Sequence, residues 1–254
     1  MRRILVTNDD GVHSPGIRAL ADALRPLGDV LIVAPLSEAS AIGHALTLRR
    51  PLRLQTLGDG IHAVDGTPTD CVNIAIRIVL DGRGPDLVAS GINKGYNLGD
   101  DVTYSGTVAG ALEAALLGIP ALAVSLGGSD AEFDFGQAAR VAARVAEEML
   151  AHPLPPRTFL NVNVPPRSAA GHRITVQGRR NHETSVTARV DPRGQSYYWI
   201  DEAICRWHDH PRSDYQTVQE GLVSITPLQP DLTAHDALSA LEASLLPSPP
   251  TIPT

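Results

Sequence analysis

Short apolar runs alternate with amphipathic stretches through most of the chain. Arg3–Thr7 (RILVT) and Asp29–Ala34 (DVLIVA) predict buried strands, the second stopped by Pro35. Asp86–Ser90, Ala121–Ser125 and Phe159–Val164 predict further strands. Between them the spacing becomes helical. Ser14-Pro15 reads as an N-cap followed by Pro at the first helical position, opening a helix to about Arg25. Val72, Ala75, Ile76 and Val79 share one face of a helix over Pro68–Leu80, and helices are expected over Thr107–Leu117 and Ala131–Ala151. Continuous Val/Leu/Ile strands separated by helices predict a mostly parallel sheet covered on both faces. The expected fold class is α/β, three-layered and Rossmann-like.

After about Pro166 the pattern changes. Arg173–Gln177 and Gln195–Asp201 read as extended, with the turn signal Asp191-Pro192-Arg193-Gly194 between them, so a long C-terminal β-hairpin is expected. Gly221–Thr226 is expected to return one strand to the sheet and Asp236–Leu246 to form a last helix. The chain thus reads as one domain, a core over 1–165 and an extension over 166–254, whose Pro-rich end PSPPTIPT is expected to be mobile.

Composition narrows the function. At 254 residues, 43% hydrophobic and 19% charged, a wholly disordered chain is excluded. Lys and Arg number 21 against 28 Asp and Glu, a net charge of −7, and there is no long basic run. Binding to a nucleic-acid polymer is therefore not expected. Two cysteines, Cys71 and Cys205, cannot build a disulfide framework or a Cys-based zinc site. No apolar run approaches the ~20 residues of a membrane span, so no membrane partner is expected. Asn8-Asp9-Asp10 ends the first apolar run early, which disfavours a secretory signal and gives a cytoplasmic expectation.

Four segments carry candidate chemistry. Thr7-Asn8-Asp9-Asp10-Gly11 sets two carboxylates at the carboxyl end of the first strand, where ligands sit in open α/β sheets. Both can reach one ion only if the chain leaves the strand there, and Gly11 permits the turn. Oxygen ligands without Cys favour Mg²⁺ or Mn²⁺ over zinc. Alone, NDDG fits a capped turn with solvated acids about equally well. Gly91-Ile92-Asn93-Lys94-Gly95-Tyr96-Asn97-Leu98-Gly99 follows a strand and alternates Gly with Asn, yet matches neither a P-loop nor GxGxxG. Tyr104-Ser105-Gly106-Thr107 opens a helix, which makes an anion site or a simple N-cap. Ser37–His44 is a polar loop able to bring a hydroxyl to the same crevice. His208 and His210 read as a surface pair, and Cys71 as a buried structural thiol. The absence of GxSxG disfavours a serine hydrolase. Adjacent acids, in place of Asp-x-Asp, disfavour an aspartyl-phosphate phosphatase.

Together these pieces resemble the SurE family, the stationary-phase survival proteins, which are metal-dependent nucleotidases. The carrying segments are ILVTNDDG (4–11), SPGIRAL (14–20), VAPLSEASAIGHALT (33–47), DGTPTDCV (65–72), DLVASGINKGYNLGDDVTYSGTVAGALEA (86–114), FLNVNVP (159–165), DPRGQSYYW (191–199) and GLVSITPL (221–228). The resemblance implies one divalent ion, Mg²⁺ or Mn²⁺, held by Asp9, Asp10, Ser40 and Asn93. Ala41 stands where many of the family have Gly after the loop serine. It implies a phosphate-facing set of Asn97, Ser105, Gly106 and Thr107. The implied reaction is hydrolysis of nucleoside 5′- and 3′-monophosphates, with short polyphosphate as a side substrate. A water would be activated by the ion, with Asp9 or Asp10 accepting its proton, the choice between them open. The resemblance also implies a homodimer or homotetramer formed through the C-terminal hairpin and tail. Asn93 is expected to serve the metal and Thr107 the phosphate, independently of each other. Two other classes compete: a non-enzymatic metal or nucleotide sensor, separable by turnover, and a receiver-type switch, disfavoured by the Gly/Asn loop.

Overall fold

The computed structural model describes residues 1–128, 133–166, 169–181, 184–202 and 206–245. Its central feature is a nine-stranded sheet. In chain order the strands are β1 (Arg3–Thr7), β2 (Asp29–Pro35), β3 (Leu54–Gly58), β4 (Ile61–Val64), β5 (Leu87–Lys94), β6 (Ala121–Leu126), β7 (Phe159–Val164), β8 (His172–Ile174) and, after the hairpin, β11 (Val223–Leu228). The spatial order is β3-β4-β2-β1-β5-β6-β7-β11-β8. Strands β4, β2, β1, β5, β6 and β7 run parallel. The chain starts at β1, builds outward to β2 and β4, then returns to the other side of β1 for β5. A topological switch point therefore lies between β1 and β5, and their carboxyl ends open a crevice there.

Helices cover both faces. On one side α1 (Pro15–Leu24) and α4 (Phe135–Ala151) bury Ile17, Leu20, Ala138 and Ala142 against Ile4, Val6 and Val124. On the other, α2 (Pro68–Ile74) and α3 (Gly106–Leu116) bury Val72, Val108 and Ala111 against Leu5, Val33 and Val88. The three-layer α/β expectation is met. Helix starts follow their caps: Ser14, Thr67 and Ser105 each accept a backbone N–H from their own first turn.

The differences have local causes. The helix expected over Pro68–Leu80 is α-helical only to Ile74 and continues as a π-helical turn, Ala75–Val79. The edge strand β3 pairs antiparallel with β4 and is exposed along most of its length, so no apolar signal marked it. Strand β5 does not stop at Ser90: Gly91–Lys94 continue its ladder with β6, with a register shift between Gly91 and Asn93. Arg173–Gln177 is not an arm of the hairpin. Arg173 and Ile174 belong to β8, which runs parallel to β11 in the main sheet. The hairpin joins β9 (Thr184–Val190) to β10 (Ser196–Glu202), antiparallel around the expected turn. The last helices are α5 (Asp214–Gln219) and α6 (Leu238–Leu245). Cys205, the expected first turn of α4 at Ala131 and Glu132, and the PSPPTIPT end lie outside the described residues. Among the described residues, no helix is long and apolar enough to cross a membrane.

Candidate active site

Asp9 and Asp10 follow β1 directly, and Gly11 (φ +94) turns the chain away. Asp9 is 4% exposed. Its Oδ2 accepts the Thr107 amide at 2.9 Å and its Oδ1 accepts the Thr107 hydroxyl. Its backbone carbonyl accepts the Ala39 amide at 2.8 Å, which draws the loop after β2 to the same point. Asp10 lies beside Lys94, at the end of β5, whose backbone and charge both favour its carboxylate form. Its Oδ2 is buried without a hydrogen-bond partner. Burial raises both carboxyl pKa values. The Thr107 bonds oppose the rise at Asp9, whereas the charge of Asp9 adds to it at Asp10 and that of Lys94 opposes it there. A buried acceptor without a donor, beside a second carboxylate, is costly unless a cation meets it.

Gly106 explains how α3 comes so close. A Cβ there would stand 2.8 Å from Asp9 Cβ and 3.2 Å from the Ala39 carbonyl oxygen, so only glycine lets the helix start abut β1 and the loop. Ser105 caps α3 by accepting the Val108 amide at 3.1 Å. Thr107 does not stand apart from the metal candidates, as the sequence had suggested. It binds the Asp9 carboxylate twice.

Asn93, in the last turn of the β5 ladder, donates its Nδ2 to the Gly95 carbonyl at 3.1 Å, leaving its carbonyl oxygen for a ligand. Ser40 is exposed and donates to Glu38 Oε1 at 2.7 Å. Next to it, Ala41 has φ +53, in the left-handed region that glycine enters freely. Asn97 is buried and fastens its own loop. Its Nδ2 donates to Ser125 Oγ at 2.7 Å, its amide to Asn163 Oδ1 at 2.9 Å, and its carbonyl accepts Asn161 and Asn163 side-chain amides. One of the two N–H donors of Asn97 Nδ2 is thus engaged with Ser125.

Sequence reasoning missed three groups here. Lys94 sets its charge beside Asp10. Asn8 turns its Nδ2 to the Gly11 carbonyl at 3.0 Å, holding the turn that presents the acids, while its Oδ1 is buried without a partner. Asp214, fully buried at the start of α5, accepts the amides of Gly99, Gly178 and Tyr215 at 2.8, 2.9 and 2.7 Å. It ties the Gly/Asn loop to the C-terminal extension, and Trp207 stacks on Tyr215 beside it, centroids 4.2 Å apart. Adjacent NDDG acids could have suggested Asn8, but nothing in the sequence pairs Gly99 with Asp214. His208 and His210 are engaged separately, with Asn181 and the Arg212 amide, and Cys71 is buried.

Among the described residues, no group of three His, Cys, Asp or Glu side chains is placed to hold a metal. The crevice instead gathers two carboxylates with neutral oxygens, a donor set suited to a hard cation. The fold and crevice define a doubly wound α/β protein with an oxygen-rich crevice at its switch point. The family model described as Survival protein SurE matches residues 4–184. The chain is 52% identical to 5′-nucleotidase SurE of Geobacter metallireducens, over 94% of this chain and 96% of that one. It is 54% identical to 5′-nucleotidase SurE of Syntrophotalea carbinolica, over 94% and 95%. The solved SurE protein from Aquifex aeolicus superposes with a TM-score of 0.85 at 41% identity, covering 96% of this chain and 99% of that chain. The chain belongs to the SurE family.

Proposed function

We propose that this chain is a divalent-metal-dependent phosphomonoesterase acting on nucleoside 5′-monophosphates, with 3′-monophosphates and short polyphosphate as further substrates. The observation that carries the reading is the partnerless Oδ2 of Asp10, buried beside the Asp9 carboxylate at the switch-point crevice. Relatives about half identical over nearly the whole chain are named 5′-nucleotidase, which supports the substrate class.

Asp9, Asp10, Ser40 and Asn93 would hold one Mg²⁺ or Mn²⁺. When bound, such an ion polarises a phosphoryl oxygen and makes a water more acidic. Thr107 holds the Asp9 carboxylate in one orientation, and the Lys94 charge stabilises the Asp10 carboxylate. With the Thr107 and Val108 amides engaged, the start of α3 offers an anion the Gly106 amide and the Ser105 hydroxyl. The raised pKa values suit either aspartate to accept a proton from water. Ser40 must release Glu38 to serve as a ligand.

The hairpin and tail would join copies of this chain as a dimer or tetramer. Tyr198, Trp199 and Ile200 on β10 are 65%, 60% and 73% exposed, more apolar surface than an isolated ribbon keeps in water without a partner. A phosphate-release screen over nucleoside monophosphates, with several metals and with EDTA, tests the activity. Release is expected with Mn²⁺ or Mg²⁺ and none in EDTA. Full release from a metal-stripped sample would overturn the reading.

A further inference from the structure

The loop that carries Ser40 has little apolar packing to hold it. From Leu36 to Leu48 most residues are exposed, including Ile42, Leu46 and Leu48. Its placement rests on polar fastenings, beginning with the Ala39 amide on the Asp9 carbonyl at 2.8 Å. Gly43 donates its amide to the Tyr104 carbonyl at 2.8 Å. Thr67 donates its hydroxyl to the Ala45 carbonyl at 2.8 Å, and Asp70 Oδ1 accepts the Thr47 amide at 2.9 Å. One further fastening joins two side chains. His44 Nε2 lies 2.7 Å from Glu113 Oε2, and the other oxygen of Glu113 accepts Asn73 Nδ2 at 2.7 Å. Asn73 also donates to the Thr69 carbonyl at 3.1 Å. The Glu113 side chain is 12% exposed, and His44 is its largest stabilising partner, pulling its pKa below the ordinary carboxylate range.

We propose that the His44–Glu113–Asn73 cluster is a positioning device that clamps the 36–48 loop onto α2 and α3 and so holds Ser40 at the crevice. This rests on the reading of Ser40 as a cation ligand. His44 is not a proton donor to the reaction on this view. Glu113 lies seven residues into α3, about 10 Å along the helix from its anion-binding start. The cluster acts through the loop. The Glu113 carboxylate, 12% exposed, makes its hydrogen bond to His44 charge-assisted, and without that bond the loop samples placements in which Ser40 is off the site. The apparent affinity for the cation then falls by the fraction of time the loop is correctly placed.

Binding of Mn²⁺ alone to the metal-stripped protein, read from the loss of the free-ion EPR signal, tests this without turnover. His44→Ala is expected to raise the Mn²⁺ dissociation constant about three- to tenfold, with Glu113→Gln shifting it less because Gln can still accept from the imidazole. Ser40→Ala should raise it too, and His44→Ala should add little in the Ser40→Ala background, because both act on one contact. Effects that simply add, or a His44→Ala protein that melts earlier but binds Mn²⁺ like the wild type, would overturn the clamp. Absence of Mn²⁺ binding by the wild type would overturn the metal-site reading itself, and the clamp with it.

Discussion

The crevice and the hairpin break the ordinary rule of burial in opposite directions. At the crevice, charge is buried: Asp9 is 4% exposed and an oxygen of Asp10 has no donor. On the hairpin, apolar surface is exposed, with Val186, Val190, Tyr198, Trp199 and Ile200 all in water. Each departure costs free energy, and each is repaid only by a counterpart of the opposite character. On the proposed reading that counterpart is a cation and a phosphate for the crevice and another apolar surface for the hairpin. The proposal thus assigns chemistry to one region and assembly to the other, and the two can be perturbed separately.

Removing charge from the crevice has the largest expected effect. Asp9→Asn or Asp10→Asn should lower metal affinity and turnover by more than the roughly 10–100-fold typical of losing an outer partner of a ligand. Far-UV circular dichroism should remain native. Wild-type rates for Asp9→Asn at low metal would remove that carboxylate from the site. Next comes Thr107→Val, which deletes the hydroxyl on Asp9 Oδ1. A roughly tenfold rise in the metal concentration for half activity is expected, since Thr107 is an outer partner of Asp9. If only KM for the nucleotide rose, Thr107 would serve phosphate alone.

Asp214→Asn tests the link between the two regions. Replacing one acceptor oxygen by a donor should cost about 1–3 kcal/mol, by urea denaturation. The pH dependence has a definite sign. Burial raises the Asp214 pKa above 3.8 despite three amide donors. Its carboxyl therefore contributes stability that is complete below 3.8 and lost as pH rises through the raised value. The gap between wild type and Asp214→Asn should be wider at pH 4 than at pH 7, and a gap that widened toward pH 7 would contradict the raised pKa. The smallest effect on turnover is expected from replacing 184–202 by a short linker, which keeps Arg180 on Asp101. Light scattering should show a shift toward monomer while kcat on a nucleotide changes little. An unchanged mass would place the interface elsewhere.

Most of the sheet was legible because its strands are buried on both faces and read as unbroken apolar runs. Ile4-Leu5-Val6 and Leu122-Ala123-Val124 are fully buried. Helix starts were legible from Ser14 and Ser105, whose side chains act on their own first turn. Strand β3 was not, because an exposed edge needs no apolar alternation. The end of β5 was hidden by Gly91 and Asn93, which look like loop residues but keep their backbone bonds to β6. In the site, residue types at strand ends pointed to Asp9, Asp10 and Asn93. The Thr107–Asp9 bonds span 98 positions, and Asp214–Gly99 spans 115. No local pattern encodes a hydrogen bond between such distant residues, so the Thr107–Asp9 contact could not be read from the sequence.

The Asp214–Gly99 bond also sets a clock on synthesis. As the chain leaves the ribosome, β1, β2, β5 and β6 can pair in the order they emerge, and the two acids reach the sheet early. Gly99, however, waits for a partner made 115 residues later. At about 5–20 residues per second the wait lasts roughly 6–23 s. Within that interval the Gly/Asn loop is held by the Asn97 bonds to Ser125, Asn161 and Asn163 but not yet by Asp214. A chain stopped before Asp214 would lack β11 as well, so the last sheet pairings and the Gly99 anchor both arrive only with the C-terminal extension.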